Sequence, residues 1–400
     1  MILGISLDEN FVYVSVDGDP DIKSYPFAIG RNLSTKTWFI GDEAKDENVE
    51  SSEIVIDKLY YIMENDGNAR IGEDAYEARD LVKIFFNCLF IKYSNIEYVT
   101  VAVRQNNVKI LSKIKYALNQ ISIKNFKYKV TTYSEAFISF LKSNPPSYYT
   151  NTVSLFDYTE KALTYYELIR YKSDELEYWQ IITKSHLALP LELLSGEAGK
   201  KVCDNLLFDF AKKCINEEVY NHIILSGIGF AESSSYREFM TYVCSVANVE
   251  TDVYFFSKSA TLLSKDIINN NFDKNVILMT DARTTATIKL TANINQVKTK
   301  IELIKPGFEW LNVYNYSFDV IVEDQREIKF EIIKVLEGLV KEASLVIPDD
   351  VKLRDDKTNL FEVSLTFLQQ NLLQISLIDK GFGEFYEANR LLAATQSVEI

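Results

Sequence analysis

No stretch of this 400-residue sequence reaches the roughly 18 to 20 consecutive apolar residues that a membrane-crossing helix needs, so no spanning helix is expected. The opening residues, MILGISLDENF, carry no basic segment, long apolar run or small-residue cleavage site. No targeting peptide is expected there, and a reducing cytoplasm is the natural compartment. Positive charge is in deficit: 43 Lys and Arg stand against 57 Asp and Glu, a net charge of −14. Such a surface repels nucleic acid and anionic membranes, and neither is an expected partner. Cysteine is scarce and dispersed at Cys88, Cys203, Cys214 and Cys244, with no CxxC or Cys/His cluster. Buried apolar thiols are expected rather than a zinc site or a disulfide framework. His186 and His222 have no cysteine or carboxylate at ligand spacing, and they read as packing or surface residues.

What is present is the composition of an ordinary globular protein, 47% apolar and 25% charged, long enough for two or three domains. Strands Ile2 to Ser6 and Phe11 to Val16, joined by Asp8-Glu9-Asn10, predict a β-hairpin. More strand is predicted at 24–29 and 37–40, a helix at 74–88 and a strand at 98–103. Three-to-four spacing of Val108, Leu111, Ile114, Leu118 and Ile121 predicts a second helix. A strand at 126–132 and a short helix at 134–141 follow, before Pro145 and Pro146 stop the helix.

The same order then begins again. Strands are predicted at 153–156, 162–171 and 176–183, and a helix at 198–215. A strand at 222–225, a helix at 236–246, a strand at 252–256 and a helix at 260–268 complete the series. Each half runs three strands, helix, strand, helix, strand, helix, a duplication at the level of elements. Two such α/β lobes leave a cleft at the ends of their strands, where open α/β sheets place ligands. From about Lys274 the sequence turns strand-rich, and a β-sandwich-like domain is expected. The predicted division is 1–145, 146–272 and 273–390, with 391–400 as a tail or short terminal helix.

Five segments carry a resemblance. GISLDEN (4–10) lies where the actin, sugar kinase and DnaK-type chaperone superfamily has GIDLGTT, with Ser6 at the acid and Asp8 at a glycine. Tyr133-Ser134-Glu135-Ala136 fits its NEPTAA segment, Glu135 falling on the carboxylate, and FIGDEAKD (39–46) resembles VGEEA. Phe156-Asp157 keeps the acid that ends the strand before the second phosphate turn. HIILSGIGF (222–230) is similar to the adenosine segment VVLVGGST, with Gly227 kept and Gly229 displaced by one. The chain resembles that superfamily, its chaperone branch most closely. The resemblance implies two duplicated actin-like (ribonuclease H-like) lobes around a cleft, followed by a C-terminal all-β domain where the chaperones carry their substrate-binding domain.

It also implies ATP or ADP with Mg as the ligand. Asp157, Asp8 and Glu135 would then be catalytic residues, Asp8 and Asp157 magnesium ligands, and Ser6, Thr159, Lys161, Gly227 and Gly229 nucleotide contacts. The glycines of the second phosphate turn are replaced, however, by Tyr158-Thr159-Glu160-Lys161. Losing two or three backbone contacts to phosphate lowers affinity by about 10² to 10⁵. Only 70 residues separate Asp157 from Gly227, which leaves little chain for the outer part of lobe two. The leading expectation is therefore a chaperone-like or scaffolding module with little or no ATP hydrolysis, engaging a protein partner through the β domain or the cleft. An active ATPase and an actin-like assembly protein are the alternatives. GFGEF (381–385) reads as a turn or bulge in the β domain, since no helix follows its GxG.

Overall fold

A computed structural model describes residues 1–44, 53–104, 106–121, 126–173, 175–194, 196–216, 218–310, 316–323, 325–355, 357–383, 386–387 and 392–400. The chain divides into two compact units, Met1–Ile169 with Gln180–Lys274, and Arg170–Trp179 with Asn275–Ile400. Among the described residues no helix is long and apolar enough to cross a membrane.

The first unit begins with β1 (Ile2–Leu7), β2 (Phe11–Val16) and β3 (Lys23–Pro26). Next come β4 (Ile29–Asn32), β5 (Trp38–Ile40), β6 (Glu53–Ile56), α1 (Leu59–Glu64), β7 (Asn68–Ile71), β8 (Asp74–Glu77) and α2 (Ala78–Ile91). Then follow β9 (Tyr98–Val103), α3 (Val108–Asn119), β10 (Lys127–Thr132) and α4 (Tyr133–Ser143). The main sheet has the order β10-β9-β1-β2-β3. Its β1–β9 and β9–β10 pairs are parallel, and its β1–β2 and β2–β3 pairs antiparallel. The parallel core strand Tyr98–Val103 is buried along its whole length, which explains why it reads as a continuous apolar run without alternation.

The second series consists of β11 (Thr152–Tyr158), β12 (Ala162–Ser173), β13 (Leu176–Ala188), α5 (Gly196–Cys214), β14 (Tyr220–Ser226), α6 (Arg237–Val246), β15 (Asn248–Thr251) and α7 (Phe255–Ile268). Its sheet has the order β15-β14-β11-β12-β13-β16 (β16, Val276–Met279), and its first five strands occupy the same positions in the same order as those of the first. The β11–β14 and β14–β15 pairs are parallel and β11–β12 is antiparallel, again as in the first. α7 crosses onto the first sheet. The hydroxyls of Thr100 and Ser264 lie 2.7 Å apart, and a Cβ on Gly4 would overlap Thr261 and Ser257, so the strand needs glycine there.

Several predicted elements shift. The helix expected at 74–88 begins only at Ala78, because Asp74–Glu77 pairs with Asn68–Ile71 as a hairpin turned at Gly72, whose φ is +64°. The strand expected at 252–256 is Asn248–Thr251 instead. Asp252 accepts the amide of Tyr254 at 3.1 Å and starts α7 at Phe255. The segment Ile29–Glu77, with its own small sheet β5-β4-β6, is inserted between β3 and α2 of the first series. Nothing of that length separates β13 from α5 in the second. Among the cysteines, Cys203 and Cys214 are buried and Cys88 half-buried, but Cys244 is exposed on α6, contrary to the expectation of buried thiols throughout.

The second unit contains β16 (Val276–Met279), β17 (Ala286–Ile294), β18 (Val297–Ile304), β19 (Tyr316–Val322), β20 (Glu327–Lys334), β21 (Leu339–Val346), β22 (Asn359–Gln369), β23 (Leu372–Asp379) and β24 (Leu392–Glu399). It forms two antiparallel sheets, β18-β17-β20-β21 and β19-β22-β23-β24. Strict alternation in β22 buries Phe361, Val363, Leu365 and Phe367 on one face. The tip of the β12–β13 hairpin belongs to this unit, where Glu177 donates its amide to the carbonyl of Asn275 at 2.8 Å. The expected tail at 391–400 is wrong in its described part: Leu392–Glu399 is a strand paired along β23, which supplies the backbone partners that a free tail lacks. Of GFGEF, Phe382 makes a single bridge to Tyr386; Glu384 and Phe385 lie outside the described residues, as do Lys45 and Asp46 of FIGDEAKD.

Candidate functional site

Parallel pairing sets Leu7 opposite Val103, so the residues that follow each strand, Asp8 and Arg104, leave the first sheet side by side. Asp157 stands at the matching end of β11 in the second sheet, and Arg104 joins the two carboxylates. Its Nη2 donates to Asp8 Oδ2 at 3.3 Å and its Nη1 to Asp157 Oδ2. The Asp157 side chain is 2% exposed, Arg104 17% and Asp8 22%, so this is a largely desolvated cation held between two acids. The guanidinium also lies 5.0 Å over the ring of Tyr133, whose hydroxyl donates to the carbonyl of Leu7.

Burial acts to lower the pKa of Arg104, but Asp157 and Asp8 outweigh it and hold the guanidinium well above its usual value, so it stays charged. Burial lifts the Asp157 carboxyl above the ordinary 3.8, against the pull of Arg104 and the hydrogen bonds from Arg104 and Ser226. A raised native value means that Asp157 contributes stability that is fully present below pH 3.8 and is lost as pH rises through that raised value. Relative to Asp157→Asn, wild-type stability should therefore fall as pH rises from 3.8 through that window. Urea midpoints of both proteins across the window provide the measurement; a constant difference would contradict the assignment.

Beyond this triad the two hairpin turns hold each other. Asn10 Nδ2 donates to Glu160 Oε2, and Lys161 Nζ pairs with Glu9 Oε2. The bond to Glu9 raises the Lys161 ammonium above its ordinary value against a smaller desolvation effect. The side chain of Lys161 is 63% exposed, so the pair adds little stability, though its direction fixes which residue faces which. Between the turns remains a cavity of about 20 Å³ lined by Asp8, Tyr13, Thr159 and Ile228 among others. That is room for about one water molecule.

The remaining expected residues have other partners. Ser6 is buried on β1, opposite Tyr13 and Ala102. The Thr159 hydroxyl accepts the amides of Lys161 at 3.2 Å and Ala162 at 3.1 Å, closing its own turn. Glu135, 3% exposed in the first turn of α4, takes the hydroxyl of Thr131 and, at 3.2 Å, the ammonium of Lys129 from the strand before it. Tyr158, counted with the turn in sequence, is the last residue of β11 and fully buried, its ring edge-on to Phe230 at 5.6 Å. Gly227 and Gly229 are small because of it. A side chain at Gly227 would overlap the Tyr158 carbonyl, and one at Gly229 would overlap the Tyr158 ring. The glycines of HIILSGIGF thus answer to packing within the second lobe.

Asp8 and Asp157, with a guanidinium between them, do not present the six or so oxygens that a divalent cation takes. Among the described residues no group of three or more His, Cys, Asp or Glu is placed to hold a metal. Sequence reasoning missed Arg104, Glu9, Asn10 and Glu160. The available signal was the position of Arg104, one residue past an apolar strand, as Asp8 is one past β1.

Residues 11–281 match the family described as "Family of unknown function (DUF5716) C-terminal", and residues 283–399 match "Domain of unknown function (DUF8552)". No curated protein matches the chain. Among solved structures, 66% of this chain aligns with 98% of a chain described as "pCBH ParM non-polymerisable quadruple mutant", at 10% identity and a TM-score of 0.42.

Proposed function

For this chain, which belongs to the DUF5716 C-terminal family, we propose a nucleotide-independent scaffolding or chaperone-like module built on an actin- and DnaK-type pair of lobes, with little or no ATP hydrolysis. The observation that carries this reading is Arg104, a cation built into the chain at the point where such a fold would bring metal and phosphate to its acids. The repeated strand order supports the choice of fold. The cross-paired turns and the cavity of about 20 Å³ support the loss of nucleotide, since ATP needs several hundred Å³. In a nucleotide-driven relative, ligand binding supplies the energy that closes the lobes. Here Arg104, bonded to Asp8 of the first lobe and Asp157 of the second, supplies closure permanently, and the module acts as a fixed platform. A protein partner is then engaged by the β-rich unit, on which Leu339, Val340 and Val346 of β21 are each more than half exposed.

The rival reading, a working ATPase, differs in one measurable respect. A ligand at 100 times its dissociation constant adds about 2.7 kcal/mol to stability. The wild-type melting temperature should stay within about 1 °C when millimolar Mg-ATP is added, whereas binding of that strength raises it by several degrees. A clear rise would overturn the proposal in favour of the ATPase.

A further inference from the structure

One of the two sheets of the second unit ends on a strand with a free side. β21 (Leu339–Val346) pairs with β20 alone, and among the described residues no strand lies along its outer edge. The amide of Ile347 donates to the carbonyl of Arg326 at 2.8 Å, and these two residues continue the register in which Val346 faces Glu327. They are therefore a hydrogen-bonded pair, and such pairs alternate along an antiparallel ladder. The odd-numbered residues of β21 turn their backbone groups to β20, and Val340, Glu342, Ser344 and Val346 turn theirs to the free edge. The same four carry their side chains on the outer face, since Ala343 and Leu345 are buried on the inner one.

Free edges are usually guarded by charge, as β18 is at the other side of this sheet by Lys298 and Lys300. β21 lacks that guard. Its lysine, Lys341, is turned away to donate to the carbonyl of Glu399 at 3.1 Å, and Val340 and Val346 are each more than half exposed. Two identical antiparallel strands related by a two-fold axis must centre on one residue, because each face has to meet itself. Centring on Lys341 or Glu342 opposes two like charges. Centring on Ser344 sets Val340 against Pro348, which has no N–H to give, and centres nearer either end shorten the overlap. Centring on Ala343 opposes no like charges: Val340 meets Val346, Glu342 meets Ser344, and each of these pairs exchanges two hydrogen bonds. Lys329 of β20, directly opposite Ser344, then lies across that small side chain from Glu342 of the second copy.

The geometry points to a second copy of this chain as the occupant of the β21 edge, paired antiparallel about Ala343 so that the β18-β17-β20-β21 sheets of both copies become one. This rests on the proposed function in one respect, the β-rich unit as the partner-binding surface, and it names the partner. A strand-edge contact of this kind buries less than about 1,200 Å², the range of weak and transient association, so the dimer should form at micromolar concentration.

Sedimentation equilibrium of the full chain should pass from one to two chain masses between about 1 and 100 μM. Ser344→Pro removes an N–H that faces the free edge and none that bonds β20. It should hold the chain at one mass throughout that range, with unfolding transitions close to wild type. Ala343→Cys, in a Cys244→Ser background that removes the exposed native thiol, should cross-link two chains under mild oxidation, because the non-hydrogen-bonded pair at the axis lies within disulfide reach. Glu342→Cys in the same background should not. The cross-link remains decisive if Ser344→Pro fails to fold. A wild type still monomeric at the highest concentration, a dimer unchanged by Ser344→Pro, or cross-linking of Glu342→Cys equal to that of Ala343→Cys overturns the proposal. A melting temperature raised by Mg-ATP overturns the nucleotide-independent reading instead and leaves the dimer in place.

Discussion

Arg104→Ala should cost about 3 to 5 kcal/mol of folding stability, the loss expected when one partner of a buried ion pair is removed and the other is left uncompensated. The stranded group is Asp157, whose side chain is 2% exposed; Asp8, at 22%, can turn toward water. In urea unfolding of the full chain the transition of the first unit should move to markedly lower denaturant. A second variant separates the ion pair from a general packing defect. Replacing both partners, as Arg104→Met with Asp157→Leu, removes the buried charges together and should recover most of the loss, because apolar residues of similar volume commonly match a buried pair. If the double variant is as unstable as the sum of the two single ones, the pair does not act as a unit. If Arg104→Ala costs less than about 1 kcal/mol, Arg104 does not hold the lobes closed.

Gly227→Ala should be the other severe change, at about 3 kcal/mol or more. Two effects add. Gly227 has φ +91° and ψ 161°, a region that is nearly exclusive to glycine and costs other residues about 1 to 3 kcal/mol. A Cβ there would also overlap the Tyr158 carbonyl and come within 2.9 Å of Asp157 Oδ1, disturbing the carboxylate that holds Arg104. Gly18 gives an internal control, since its φ is +82° and no atom stands within 4 Å of the point a Cβ would occupy. Gly18→Ala should cost only about 1 kcal/mol, the conformational part alone. Thermal unfolding of the two variants side by side measures the difference; equal losses would mean that strain, and not Tyr158, makes glycine necessary at 227.

These glycines mark where reading a sequence stops. Gly227 matched a nucleotide motif and Gly229 fell one place beyond it, yet both residues are demanded by Tyr158 beneath them. A motif records that a backbone comes close to something; the partner that comes close is a property of packing. Glu135 is a similar case, since the segment that suggested a catalytic role leaves it bonded to Thr131 and Lys129. The helix start at Ala78 was obscured for a different reason. Asp74–Glu77 is short and polar, and a two-strand hairpin of that length has too few positions to show a period of two.

Local burial is periodic, so the order of strands and helices in both lobes, their repetition and the change to an all-β unit near residue 275 could be read from the amino-acid sequence. The acids at the ends of β1 and β11 could be read in the same way, because each follows an apolar run. What the sequence could not decide is what those acids face. Arg104 lies 96 residues from Asp8 and 53 from Asp157, and Asn10 lies 150 from Glu160. No local pattern links positions so far apart. Parallel pairing of β1 with β9 and the duplication of the sheet bring them to one place, and only there does a strand-ending arginine become the cation between two carboxylates.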